Sequence, residues 1–464
     1  MSMIFNGLSG IVSSQVALDA VSQNLANALT PNYTRQGVVL TAKSAVNGSI
    51  SAGHGVEATS LVRYADTYKT QQMWRANSNL GEFEAAQTYL LQLEQVMGDA
   101  GGGLSASLDN FFASLSAASV EPASSPLRQQ IIEEARALGQ SVGNLAQIIS
   151  NQKAAVAQQR EVAVDQVNTA VADIATLNAK IIQAYGAGLN TSALEDQRDA
   201  RVDSLSKLVG LQTLTQPDGS INLSLRGGQP LVVGDRASVM EVKAGNNGYV
   251  LEVTFGSEKF ALQADAWQGT LGGLANMETD VLDPLSASIR AMANSIATEV
   301  NAVLGNGFGT NGAAGQDLFV YNPASSSAVL TVTDIKSDAL GLSSEPAEAG
   351  NSERLRELIA LQQKPVNLSA YAGGNAVFLS DGIFLGDIYT QLVGKLGTHS
   401  QQSIASYTTA KTVRDQSESN WRSTSAVNTD EEAVNLMQYQ QMYQANMKVI
   451  ATANELFDSL LALR

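Results

Sequence analysis

The chain holds two histidines, His54 and His399, far apart in sequence, and no cysteine. A zinc site of His and Cys ligands, or a Ser-His-Asp triad, therefore has little raw material. Disulfides and thiol chemistry are excluded outright. Gly307-Phe308-Gly309-Thr310-Asn311-Gly312 has the G-x-G-x-x-G spacing that can cradle a dinucleotide pyrophosphate. That use requires a strand before the glycines and a helix after them. Here a helical pattern precedes and a turn-like stretch follows, so the run reads as a loop. Neither G-x-x-x-x-G-K-[ST] nor H-E-x-x-H occurs. The carboxylate pairs Glu133-Glu134 and Glu431-Glu432 could exchange protons inside a shielded pocket. At helical positions in solvent they are surface or capping groups. The reading names no catalytic residue, no cofactor-binding residue and no metal ligand, and expects neither an enzyme nor a cofactor. Asp196, Arg198, Asp199, Arg201 and Asp203 form a dense mixed-charge run. It is either a lock onto another chain or a set of local ion pairs, each contributing about a few tenths of a kcal/mol.

These residues sit on elements whose periods can be read. Ile4, Ile11, Leu18 and Leu25 recur at heptad spacing, with Leu8 and Leu29 on the neighbouring heptad position. The pattern predicts a helix over 2–29, coiled-coil-like and almost uncharged, ended by Pro31. Residues 31–64 read as extended and turn-rich. Helices are predicted over 65–97, 104–115, 127–185 and 194–210. Within the third, Val164, Val171, Asn178 and Tyr185 form one heptad row, and Val167, Ile174 and Ile181 another. Asn178 either fixes a helix register or faces solvent. From 211 to 263 the period becomes two, with turn signals at Pro217-Asp218-Gly219, Gly227-Gly228 and Asn246-Asn247-Gly248, which predicts an inserted β region. Helix returns over 274–304, strands over 319–332, and a short helix over 352–364. From Thr398 to Arg464 there is neither Gly nor Pro, which predicts long helix. Thr429 and Glu432 have the spacing of a capping box. Beyond it run Leu436, Tyr443, Ile450 and Phe457, and beside them Met442, Val449, Leu456 and Leu463, with Ala453 and Leu460 widening the apolar face.

Composition supports long helices with thin seams. The 464 residues are 44% hydrophobic but only 6% aromatic, and 28 basic against 44 acidic residues leave a net charge of −16. An acidic surface disfavours nucleic acid, where basic groups must replace counterions, and anionic lipid. No continuous apolar run approaches the ~18 residues of a membrane span, so no membrane insertion is expected. The first basic residue is Arg35, so no positively charged leader region is present and export without a cleaved signal peptide is expected. The two terminal helices are thin amphipaths that are expected to stay largely unfolded in a lone chain and to order on assembly.

The ends also resemble a known family. Gln23-Asn24-Leu25-Ala26-Asn27-Ala28, followed by Thr30-Pro31-Asn32-Tyr33-Thr34-Arg35-Gln36, resembles the N-terminal signature of bacterial flagellar axial proteins, the rod, hook and hook-associated subunits. Val427-Asn428-Thr429-Asp430-Glu431-Glu432-Ala433, Tyr439-Gln440-Gln441 and Tyr443-Gln444-Ala445-Asn446 resemble the matching C-terminal signature. Thr452 to Asp458, Leu194 to Asp199 with Leu205 to Leu208, and Gly269 to Leu274 are similar to the hook-associated branch at the hook–filament junction. Asn32 stands where the family usually has Gly, and Thr429 where it usually has Leu. Asn is the next best residue for a left-handed turn.

The expected fold is mainly α with an inserted β domain. Terminal helices (1–64 with 400–464) pair as a coiled-coil-like inner domain. Residues 65–210, 270–304 and 350–399 form a middle helical bundle, and 211–269 with 305–349 an outer β-rich domain. The resemblance implies a structural subunit of the extracellular flagellum joining hook to filament, exported through a type III apparatus. Its implied partners are copies of itself, hook protein, a second junction protein or filament subunits, and an export chaperone on the C-terminal helix. Another axial subunit, or an adhesive module using the β region, is the alternative.

Overall fold

The computed structural model describes residues 2–44, 53–98, 103–245, 248–262, 267–379 and 381–462. The chain opens with α1 (Ser2–Ala26), then the hairpin β1 (Gln36–Ala42) and β2 (Val56–Arg63). Helices α2 (Thr67–Met97), α3 (Leu104–Ala118), α4 (Ser125–Gly186) and α5 (Ser192–Leu208) follow. An antiparallel sheet holds β3 (Leu211–Thr215), β4 (Ile221–Leu225), β5 (Pro230–Val233) and β6 (Arg236–Ala237) in sequence order. A second, a meander, holds β7 (Val239–Gly245), β8 (Gly248–Phe255) and β9 (Glu258–Leu262). Then come α6 (Gly269–Asn276), a π turn (Met277–Leu282) and α7 (Asp283–Gly305). The short pair β10 (Phe319–Tyr321) and β11 (Leu330–Val332) precedes α8 (Glu353–Ala360), β12 (Pro365–Val366), α9 (Leu368–Tyr371) and β13 (Ile383–Phe384). The chain ends in α10 (Ile388–Ser425) and α11 (Thr429–Ala462). The fold is mainly helical with inserted sheets, and its first and last helices pair, as the periodicities predict.

Two compact units divide the chain, one of Met1–Leu80, Val164–Gly269 and Thr409–Arg464, the other of Gly81–Ala163 and Thr270–Thr408. The second unit carries one contiguous core that includes α3, α7, α8 and the first half of α4, with Phe111 edge-on to Phe112 and Phe319 at 5.5 and 5.7 Å. Two arginines are buried within it. Arg128 donates to the carbonyls of Pro122 (2.6 Å) and Leu340 (2.8 Å) and so ties loops to α4. Arg160 pairs with Glu278 in the π turn, and Lys153 meets Asp283, the first residue of α7, at 2.5 Å. That turn interrupts the helix predicted over 274–304. The 307–312 glycine run follows α7 and is a loop bridged to Ala314 and Ser343.

In the first unit the β region is fixed to α4 by asparagine. Asn178 is fully buried and faces neither solvent nor a second helix. Its amide donates to the carbonyls of Ile221 (2.8 Å) and Gly234 (2.7 Å), and its oxygen accepts from the Ile221 N–H (3.2 Å). Nearly three turns before it, Asn168 makes the same two-way pair with Met240. One further expectation is corrected here. A new helix starts where the Thr429–Glu432 spacing predicts, after a break at 426–428 at which the Ser425 carbonyl accepts the Arg35 N–H (2.8 Å). Asn428, not Thr429, caps α11, with its side-chain oxygen 3.1 Å from the Asp430 N–H. Over Met3–Ala26, α1 has the length and mean hydropathy (1.2) that could cross a membrane. Its spaced Ile, Val, Leu, Phe and Ala residues and single charge set that mean without any continuous apolar run. Asn246 and Asn247, read above as part of a turn, lie outside the described residues.

Candidate assembly site

The N-terminal motif residues fold the chain back after α1. Asn24, buried on the last turn, donates to the Gln36 carbonyl (2.8 Å) and accepts from the Gln36 N–H (3.0 Å) and the Tyr33 hydroxyl (3.0 Å). Asn27 donates to the Gln23 carbonyl at 3.0 Å, while Leu25 is half-buried and Ala26 and Pro31 are exposed. Asn32 takes the left-handed turn with φ 59°. Burial, then Asp196 and Glu432, push the Tyr33 phenol up from 10.0 to about 12. Arg35 reaches Glu431 of α11 at 2.6 Å and stacks over the Tyr64 ring at 4.6 Å.

The mixed-charge run of α5 faces the same place. Arg63, at the end of β2 and largely buried, meets Asp196 (2.6 Å), Asp199 (2.8 Å) and Glu195 (3.5 Å). Burial pushes the Asp196 carboxyl up despite this neighbour, and Asp196 also accepts from the Thr34 N–H. Of the two readings of this run, ion pairing within the chain is the one realised for Glu195, Asp196 and Asp199. Further along, Asp203 accepts from Asn77 (2.6 Å), which in turn accepts from Arg414 (3.3 Å), linking α5, α2 and α10.

Helices α1 and α11 run antiparallel. A Cβ on Gly7 would stand 2.8 Å from Ile450, and one on Gly10 would stand 2.5 Å from the Asn446 amide. Close approach of the two backbones therefore depends on these glycines. The buried stripe of α1 is Gly7, Ser14 and Val21 with Gly10, Ala17 and Asn24, a heptad of mostly small residues. Apolar size was the wrong search term for this seam; small residues at heptad spacing were the signal that could have found it. Ile4, Ile11, Leu18 and Leu25 flank the stripe half-buried, while Leu8 (49% exposed) and Leu29 point away from it. On α11, Leu436, Tyr443 and Ile450 are half-buried and Ala453 is buried. Met442, Val449 and Leu456 are exposed. So are Phe457 (58%) and Leu460 (67%), which lie past the point where α1 begins. Leu463 lies outside the described residues. Phe5, Val12, Val434 and Met437 add to the uncovered apolar surface.

A cleft of about 520 Å³ opens at the Asn24 end of this seam, lined by Ala17, Ala20 and Val21, by Arg35 to Val38, and by Asp430 to Glu432 with Tyr439. Among the described residues no group of three His, Cys, Asp or Glu could hold a metal. The geometry offers packing surface and charge, with no reacting group.

Comparison with known proteins agrees with this reading. Residues 90–319 match the family model "Flagellar hook-associated protein FlgK helical domain", and residues 422–463 match "Flagellar basal body rod FlgEFG protein C-terminal". Flagellar hook-associated protein 1 of Salmonella typhimurium strain LT2 is 27% identical over 563 positions, with both chains covered completely. Over its whole length this chain is similar to flagellar hook-associated protein 1. A Bacillus subtilis member is 24% identical over 512 positions, covering 99% of this chain and 98% of that one. The Salmonella alignment is longer than the 464 residues here, so that family member carries segments this chain lacks. The structure of the flagellar hook junction protein FlgK from Burkholderia pseudomallei superposes with a TM-score of 0.51 at 27% identity, over 54% of this chain and 47% of that one. The rod-type match falls on α11 together with the end of α10.

Proposed function

We propose that this chain is a structural subunit of the extracellular bacterial flagellum, that it joins hook to filament, and that it assembles through α1 and α11. The carrying observation is the paired helices' surface: small residues make the seam inside the chain, and large apolar residues are left outside it. An exposed apolar stripe of this length on a soluble surface marks a contact site. Copies of the same chain, hook subunits and second-junction or filament subunits are the neighbours that cover it. Each exposed Leu, Val or Phe would contribute about 1.5–3 kcal/mol when buried by a neighbour. Before assembly the same face of α11 suits an export chaperone, which would mask Leu456, Phe457 and Leu460. The two paired ends gain further stability on assembly, when neighbours cover this face. It has no reaction step: the chain works by packing.

Incorporation into flagella tests it. Leu456→Asp places a charge on the exposed row, outside the intramolecular seam. The variant should fold with the parent's thermal stability and be missing from isolated flagella. Incorporation at the parent's level would count against α11 as the assembly surface.

A further inference from the structure

The cleft beside Asn24 carries an unbalanced charge. Glu432 is only 2% exposed, yet its Oε2 has no hydrogen-bond partner. Asp430 and Glu431 line the same cleft, and the Arg35 bond goes to Glu431. A buried carboxylate oxygen without a donor is costly, and such groups are normally paired. Three carboxylates against one guanidinium leave the cleft seeking a cation. Its remaining walls, Ala17, Val21, Val434 and Tyr439, suit the methylene stem of a lysine or arginine.

The paired helices themselves carry one such group. Lys448 is the only basic residue in α1 or α11. It is exposed, has no ion-pair partner among the described residues, and adjoins the uncovered Val449. It cannot reach the cleft of its own chain, because sixteen residues of helix set Lys448 about 24 Å from Glu432. We propose that the cleft receives Lys448 of a second copy, whose ammonium donates to the free Glu432 oxygen while its apolar stripe covers Val434 and Tyr439. This rests on the assembly reading above and deepens it. With the copies packed in the same direction, such a contact is head-to-tail and propagates into a ring or helix; an antiparallel two-fold pair would instead make it twice, reciprocally, and stop at a dimer. It also sets an axial offset of about 24 Å between the contacting copies. The pair would act through charge-assisted hydrogen bonding in a site that neighbouring apolar groups shield from water.

The test uses full-length chains in cells whose own copy is replaced, with the amount incorporated per isolated flagellum as readout. Glu432→Gln and Lys448→Gln should each lower incorporation by on the order of tenfold, and the double variant no further than either single. Lys448→Arg should restore it. Independent, multiplying losses, or no loss, would overturn the pairing. Leu456→Asp runs alongside: if it too incorporates normally, the assembly reading itself fails; if it alone is excluded, only the pairing fails. A second arm uses the absence of cysteine. Glu432→Cys with Lys448→Cys in one chain cannot close internally, since a disulfide needs Cα atoms within about 7 Å. Oxidised flagella should therefore yield a ladder of linked chains that neither single variant gives. An assembled double variant that stays at single-chain size would overturn the proposal.

Discussion

Asn24 and Asn178 each use one amide to replace a missing backbone partner, Asn24 for Gln36 and Asn178 for Ile221. Asn178→Ala would leave the Ile221 N–H and two carbonyls unpaired in a dry place. At about 1–3 kcal/mol for each of the three orphaned groups, a loss of roughly 3 kcal/mol or more is expected. A lowered urea midpoint of the full chain would register it. The heptad row made Asn178 visible in the sequence; its partners, 43 and 56 residues away, were not, because pairing across that distance leaves no local pattern. Tyr33 supplies a pH signature. Below pH 10 folded and unfolded chains both hold the phenol neutral. Between 10.0 and about 12 the unfolded chain ionises first, so stability falls as pH rises through that window. Tyr33→Phe should flatten that part of the stability profile, relative to the parent, in alkaline denaturation followed by circular dichroism.

At the scale of elements, the seam between α1 and α11 depends on what the helices lack. Gly10→Leu would drive a side chain into the space of the Asn446 amide and should prise the helices apart, seen as faster amide hydrogen exchange in both. Val12→Ser, on the exposed side, should leave exchange in the lone chain unchanged. The long helices were legible because uninterrupted 3.6-residue periods over many turns have few alternative explanations. The break at 426–428 was announced only by the Thr429–Glu432 spacing of a helix start, with no Gly or Pro beside it; that Arg35 takes the Ser425 carbonyl there left no local pattern. The terminal heptads pointed to the right two helices, yet on α1 the large residues flank the small-residue seam or, at Leu8 and Leu29, face outward. Periodicity identifies faces, and it does not say which face meets the chain's own partner helix.

Across the whole molecule, a net charge of −16 must be reconciled with packing many copies together. The α1 and α11 surfaces answer part of this, since α1 bears a single charge, Asp19, and α11 places most of its acids at its two ends. Ile450→Asp, on the seam, should both loosen α1 from α11 and abolish incorporation, whereas Leu456→Asp should do only the second. Thermal unfolding and flagellar content, read on both variants, separate the two effects. Loop-level details such as the Arg63 cluster were half legible: the acidic run on α5 announced a cation, and only the fold says that it is Arg63.

The central claim is that the outer apolar rows of the terminal helices are bare in a single chain and covered in the flagellum. Because the protein has no cysteine, Leu456→Cys gives a unique reporter, and the rate of its modification by a maleimide can be compared between dilute monomer and intact flagella. The account predicts rapid labelling in the monomer and strong protection in the flagellum. Equal labelling in both states would contradict it.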